Sequence, residues 1–145
     1  MPLEIKQRET EGIIVLDLKG RLVLGPDDLA FRQALESLLA AGKKNVILNL
    51  HDLFAVDTAG VGSMIFAAQK LREAGGRLVL LNIVPSHTSL DDLLKLDTTF
   101  DTYSEELAAV NSFFPDRALP RYDLLEFLEE EREHREPPQP ENEPA

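Results

Sequence analysis

The stretch that decides the fold runs from Asn45 to Met64 and reads NVILNLHDLFAVDTAGVGSM. Its first half contains Val46–Leu50, a run of β-branched and aliphatic residues that predicts a buried strand. Its second half, from Asp57 onward, predicts a tight loop that opens directly into a helix. That helix stops at Gly75–Gly76, because glycine is typical of a helix C-terminus. An acidic residue and the hydroxyl of Thr58 therefore stand side by side where a strand passes into a helix.

Strands and helices alternate on both sides of this stretch, after an initial pair of strands. Such an order predicts an α/β sandwich with a mixed sheet. The predicted elements are a hairpin of residues 3–6 and 13–18, a sheet piece at 20–25, a helix from Pro26 to Gly42, a strand at 77–84 ended by Pro85, a helix at 90–96 capped by Ser89, a strand at 100–103 and a helix from Ser104 to Asn111.

The pattern changes after residue 112, which predicts that the domain of residues 1–112 ends there. Residues 113–120 are interpreted as a linker and residues 121–136 as an acidic amphipathic helix. Residues 137–145 are predicted to form a disordered, acidic, Pro-rich tail. The apolar stripe of Leu124, Phe127 and Leu128 has two interpretations: packing on its own domain, or binding a partner, including a second copy in a homodimer.

Composition and charge exclude several classes of function. The 145 residues suffice for one domain with a sizeable core, and the absence of Cys excludes a disulfide framework or a thiolate metal site. The formal charge of −11, about half of it beyond residue 120, argues against nucleic acid as a partner. No apolar run approaches the length of a membrane helix, so a cytoplasmic protein without membrane insertion is expected.

Residues that could carry catalysis are scattered. His51, His87 and His134 have no metal-ligand spacing, and no nucleophile stands in a recognised motif. We therefore expect no enzyme activity, no catalytic residues, no metal and no cofactor. Gly60–Gly62 is a weak phosphate-loop signal, because no Lys-Ser/Thr pair follows it, and close packing of helix and strand is the preferred explanation.

The central stretch resembles the STAS domain and, within that family, the bacterial anti-sigma factor antagonists (anti-anti-sigma factors). The resemblance rests on the aliphatic strand Ile47–Leu50, the pair Asp52–Leu53 and the motif Val56–Gly62, in which Asp-Thr-x-Gly-Val-Gly leads into a helix. It covers residues 3–112. It implies a STAS-like (SpoIIaa-like) sandwich, a mixed sheet packed against helices, here followed by a C-terminal helical extension.

The resemblance also implies a function. In this family the hydroxyl residue after the Asp, here Thr58, is phosphorylated by a serine/threonine kinase that is itself the anti-sigma factor. The unphosphorylated antagonist binds that kinase and frees a sigma factor; phosphorylation ends the complex, and a phosphatase of the PP2C type resets it. The partner-binding residues implied are Asp57, Thr58, Ala59, Gly60, Gly62 and Ser63.

Two alternatives stay open at the level of sequence. Asp57 and Thr58 are both residue types favoured at a helix N-cap, so either side chain has a purely local explanation. The protein as a whole has an alternative function as a constitutive STAS subunit of a stressosome-like scaffold or of a lipid-transport ATPase assembly. In that case Thr58 would contact a partner without being phosphorylated.

Overall fold

The structure, a computed structural model, describes residues 2–83 and 89–118. Five strands form one sheet in the order β1-β2-β3-β4-β5. The strands are β1 Glu4–Thr10, β2 Ile13–Leu22, β3 Asn45–Val56, β4 Arg77–Leu81 and β5 Thr102–Tyr103. The helices are α1 Pro26–Ala40, α2 Thr58–Glu73, α3 Leu90–Thr99, α4 Glu106–Asn111 and α5 Pro115–Ala118. No described helix combines the length and apolarity that a membrane crossing would require.

The sheet is mixed, as predicted. β1 is antiparallel to β2, while β2, β3, β4 and β5 run parallel to one another. Alternate residues of the central strands face α1 and α2, because successive side chains of a strand point to opposite faces. The buried cluster there includes Leu16, Leu48, Leu80, Phe31 and Met64, all at most 2% exposed. This packing is what holds the start of α2 against the sheet.

The predicted hairpin is present, and its second strand is longer than expected. Glu11 and Gly12 form the two-residue turn with φ of 53° and 83°, the left-handed pair that suits the twist of a hairpin. β2 then continues to Leu22, so the sheet piece predicted at residues 20–25 is confirmed for residues 20–22, which pair with β3 as the end of β2. Residues 23–25 lie outside the strand. Register shifts on either side of Lys19–Gly20 let β2 stay paired with β3 over this length.

The central strand is also longer than predicted. The predicted strand ended at Leu50, whereas the polar residues His51 and Asp52 belong to β3, which runs on to Val56. Asp52 lies opposite Lys19 of β2, so pairing with the extended neighbour keeps this polar segment in the sheet. As a result only one residue, Asp57, separates the strand from α2.

The described residues fall into two units, one that extends to Val110 and one that begins at Asn111. The first contains the sheet and helices α1 to α3. In the second, the segment interpreted as a linker contains the four-residue helix α5. The strand predicted at residues 77–84 is shorter than expected, because β4 ends at Leu81. The predicted helix of residues 121–136, the predicted tail of residues 137–145 and residues 84–85 lie outside the described residues.

Arg8 of β1 joins two carboxylates from different parts of the first unit. Its guanidinium donates to Asp17 through Nε at 2.7 Å and Nη2 at 3.0 Å, and to both carboxylate oxygens of Glu106 at 2.7 Å. Asn49 also donates to Asp17, at 2.8 Å. The hydrogen bonds from Arg8 lower the pKa of Asp17 and the pKa of Glu106, and the two carboxylates in turn raise the pKa of Arg8.

This cluster predicts a pH-dependent stability. Because both carboxyl pKa values are lowered in the folded protein, their contribution is complete above the unfolded value of about 4 and is lost as the pH falls through the folded values. We expect Arg8→Met to lower the free energy of unfolding by about 1 kcal/mol at pH 7, a modest figure because the side chain is partly exposed. The difference from wild type should shrink towards pH 2.

Urea unfolding at several pH values tests this expectation. Lys43→Met is the matched control, because Lys43 pairs with Glu9 at 3.5 Å through side chains that are 39% and 47% exposed. Its effect should stay below about 0.5 kcal/mol. A loss for Arg8→Met that is the same at pH 7 and pH 2 would mean that packing, not the charge cluster, is responsible.

Candidate functional site

The candidate site is the corner at which β3 passes into α2, and its structural centre is Asp57. Asp57 has an extended backbone and is the N-cap of α2: its Oδ1 accepts a hydrogen bond from the Gly60 N–H at 2.8 Å. Its Oδ2 accepts from the Leu24 N–H at 3.0 Å. One carboxylate therefore both caps the helix and fixes the segment that follows β2.

Substitution of Asp57 should lower the stability of the fold, by an amount that depends on whether the new side chain can still cap α2. Asp57→Ala leaves two backbone N–H groups without their partner and is expected to destabilise the protein by about 2 kcal/mol. Asp57→Asn keeps an oxygen that can cap the helix, so its loss should be less than about half of that. Thermal or urea unfolding of the two variants measures the difference. Equal losses would show that the charge of Asp57, not its capping, supplies the stability.

Thr58 is the first residue of α2, and its hydroxyl does not cap the helix. The side chain is exposed, and Oγ1 lies 3.4 Å and 3.5 Å from the two carboxylate oxygens of Asp92. The local explanation left open by the sequence thus applies to Asp57, whereas Thr58 is an exposed residue at the positive end of the helix dipole.

Asp92 is a residue of this site that sequence reasoning missed. It is only 5% exposed and belongs to the first turn of α3, where its N–H donates to Ser89 Oγ at 3.2 Å. The predicted cap by Ser89 is confirmed by that bond. An acid in a first helical turn has an ordinary local explanation, so nothing in the sequence indicated that Asp92 lies beside Thr58.

The two glycines of the motif differ in role. Gly60 is buried, and a Cβ placed on it would overlap the carbonyl oxygen of Leu22 and lie 3.1 Å from its carbonyl carbon. This agrees with close packing of helix and strand. Gly62 is exposed, with nothing within 4 Å of an added Cβ. Ala59, which precedes Gly60, is half-buried. A partner could therefore reach Ala59 and Gly62, whereas Gly60 is buried.

Ser63 is not on the exposed start of α2, and that expectation is wrong. It is 0% exposed, and its Oγ accepts a hydrogen bond from Arg32 Nε of α1 at 3.1 Å. The reason is helical spacing: position 63 falls on the face that packs on α1 and the sheet, together with Gly60 and Ala67. Arg32 itself lies over the Phe66 ring, 4.6 Å from its centre.

The geometry defines a class of protein: an α/β domain in which a capped helix presents a threonine at the end of the central strand. Among the described residues no group of three His, Cys, Asp or Glu side chains is placed to hold a metal ion. The profile of the STAS domain matches residues 4–109, and the chain belongs to the STAS domain family.

Individual relatives are more distant. An anti-sigma F factor antagonist from Paenibacillus polymyxa is 23% identical over 110 residues, which cover 76% of this chain and 94% of that protein. A Thermotoga maritima protein described as a candidate anti-sigma factor antagonist shares the fold with a TM-score of 0.67 at 16% identity, over 75% of this chain and 93% of that one. The Bacillus cell fate determinant SpoIIAA, in its phosphorylated form, matches with a TM-score of 0.58 at 22% identity, over 75% and 99%.

Proposed function

We propose that this protein is an anti-sigma factor antagonist of the cytoplasm that acts by binding, without catalysis of its own. In its unmodified form it binds an anti-sigma serine/threonine kinase and so frees a sigma factor. Phosphorylation of Thr58 by that kinase ends the complex, and a phosphatase of the PP2C type restores it. The relative from Paenibacillus polymyxa, named an anti-sigma F factor antagonist, supports the choice of this class.

The observation that carries the proposal is that Thr58, the first residue of α2, is an exposed residue. Because Asp57 caps the helix, Thr58 is free of that structural task. A helix N-terminus also tolerates a phosphate, whose charge it partly compensates. A phosphate adds roughly −1.5 to −2 charges and would oppose any partner surface that fits the neutral hydroxyl.

The proposed contact surface follows from exposure. It consists of Thr58 with Asp57, Ala59 and Gly62, and the absence of a side chain at Gly62 lets a partner backbone approach closely. Leu24 adds an apolar contact, since it is 73% exposed and its N–H is held by the Asp57 carboxylate. Gly60 and Ser63 act indirectly, by setting how α2 packs.

Phosphopeptide mass mapping of the protein isolated from its own cells, across growth and stress conditions, tests the proposal. We expect phosphate on Thr58 with an occupancy that changes between conditions, and a kinase that co-purifies with the unmodified form only. Thr58 unmodified throughout, with an ATPase subunit co-purifying regardless of a Thr58→Val substitution, would overturn it. That outcome would favour a constitutive subunit of a larger assembly.

A further inference from the structure

The Thr58 hydroxyl lies against a carboxylate that is shielded from water. Asp92 is 5% exposed, and its two oxygens are 3.4 Å and 3.5 Å from Thr58 Oγ1. Its N–H, in the first turn of α3, donates to the Oγ of Ser89, the N-cap of that helix. The contact therefore joins the first turn of α2 to the first turn of α3 across 34 residues of sequence.

A negative charge at position 58 would stand close to carboxylates that are held in place. Asp92 lies on one side of Thr58, and the Asp57 carboxylate is held in place by the N–H groups of Gly60 and Leu24. Like charges in contact repel more strongly when one of them is buried, because less water and salt lie between them. The hydroxyl can donate a hydrogen bond to Asp92, whereas a phosphate dianion or a carboxylate cannot.

We infer that Asp92 couples the charge at Thr58 to the attachment of α3, so that a negative charge on Thr58 loosens the first turns of that helix. The inference deepens the proposed switch and rests on it for its biological meaning, although the coupling itself needs only the charge. Phosphorylation would then change two features of the surface at once: the charge of the corner and the position of α3, which carries Leu94 with 53% of its surface exposed.

Hydrogen exchange measured by mass spectrometry on the full-length protein tests the coupling without any kinase. We expect the α3 amides of Thr58→Glu to exchange about tenfold faster than those of Thr58→Gln, which has the same shape without the charge. Thr58→Lys, which can pair with Asp92, should slow the exchange relative to Thr58→Gln. Gln69→Glu is the control, because it adds the same charge on α2 about 16 Å further along the helix.

The Asp92→Asn substitution identifies the group responsible. In this background residue 92 carries no charge, so the difference between Glu and Gln at position 58 should largely disappear. The inference is overturned if α3 exchanges equally in Thr58→Glu and Thr58→Gln, or if the difference survives Asp92→Asn. If Asp92→Asn does not fold, faster or equal exchange in Thr58→Lys relative to Thr58→Gln overturns it instead.

The two proposals fail in different ways. Absence of phosphate on Thr58 in cells would remove the proposed function and leave the exchange result intact. Conversely, a phosphorylated Thr58 with no effect of charge on α3 would mean that the phosphate acts on the partner by direct contact only.

Discussion

Replacement of Thr58 by Glu is expected to weaken binding of the proposed partner, an anti-sigma kinase, about 100-fold, which corresponds to about 2.7 kcal/mol. The added carboxylate would follow Asp57 in the chain and lie against Asp92, so a complex formed on this surface would have to bury a further negative charge close to these two carboxylates. Titration calorimetry with the kinase that co-purifies from cells, in its nucleotide-bound form, measures the change.

Two further variants separate charge from shape. Thr58→Gln fills the same space as Glu without a charge and should bind within about fivefold of wild type. Thr58→Ser keeps the hydroxyl and, under the proposed function, should be phosphorylated as Thr58 is. Circular dichroism and thermal unfolding of each variant show whether the fold is retained. Equal binding by wild type and Thr58→Glu would contradict a switch at this residue.

The second large effect is expected at Gly60. Gly60→Ala would press a methyl group into the Leu22 carbonyl, and since that group is backbone it cannot rotate away. Either α2 moves outward or β2 bends, and in both cases the packing of the core around Met64 is lost. We expect a destabilisation of at least about 3 kcal/mol, a large part of the stability of an ordinary domain.

Gly62→Ala is the control, two residues further along the same helix. Its Cβ would meet nothing within 4 Å, and alanine is the better helix former, so a stabilisation of about 0.5–1 kcal/mol is expected. Urea unfolding of the two variants under identical conditions gives the comparison. A small loss of unfolding free energy in Gly60→Ala would show that β2 and α2 can separate at low cost.

The Gly62→Ala variant also tests the proposed contact surface. A methyl group at this position should weaken binding of the proposed kinase partner, although the fold is stabilised.

Much of the fold could be predicted from local sequence signals. The aliphatic run that starts at Val46, the paired glycines at 75–76 and Pro26 each act over a few residues, through burial, backbone conformation and helix starts. The order of elements they predict was sufficient for the α/β class and the mixed sheet. The same local signals placed Asp57 and Thr58 at the strand-to-helix corner.

The length of the strands depended on pairing, which local pattern does not contain. The polar residues His51 and Asp52 interrupt the apolar pattern, yet they are part of β3 because the irregular, extended β2 supplies partners there. Strand propensity is evaluated for one segment at a time, whereas the hydrogen bonds between paired strands depend on both strands. The corner is consequently tighter than predicted, with a single residue between strand and helix.

The roles of the side chains around Thr58 were decided by tertiary contacts alone. Asp92 reaches Thr58 from another helix, Ser63 faces Arg32 instead of solvent, and Gly60 is required because Leu22 crosses above it. Residue type and spacing identified the hydroxyl, because its position at a helix start is a local property. What surrounds that hydroxyl, and which of its neighbours a partner can reach, is set by chain segments distant in sequence that only the packed fold brings together.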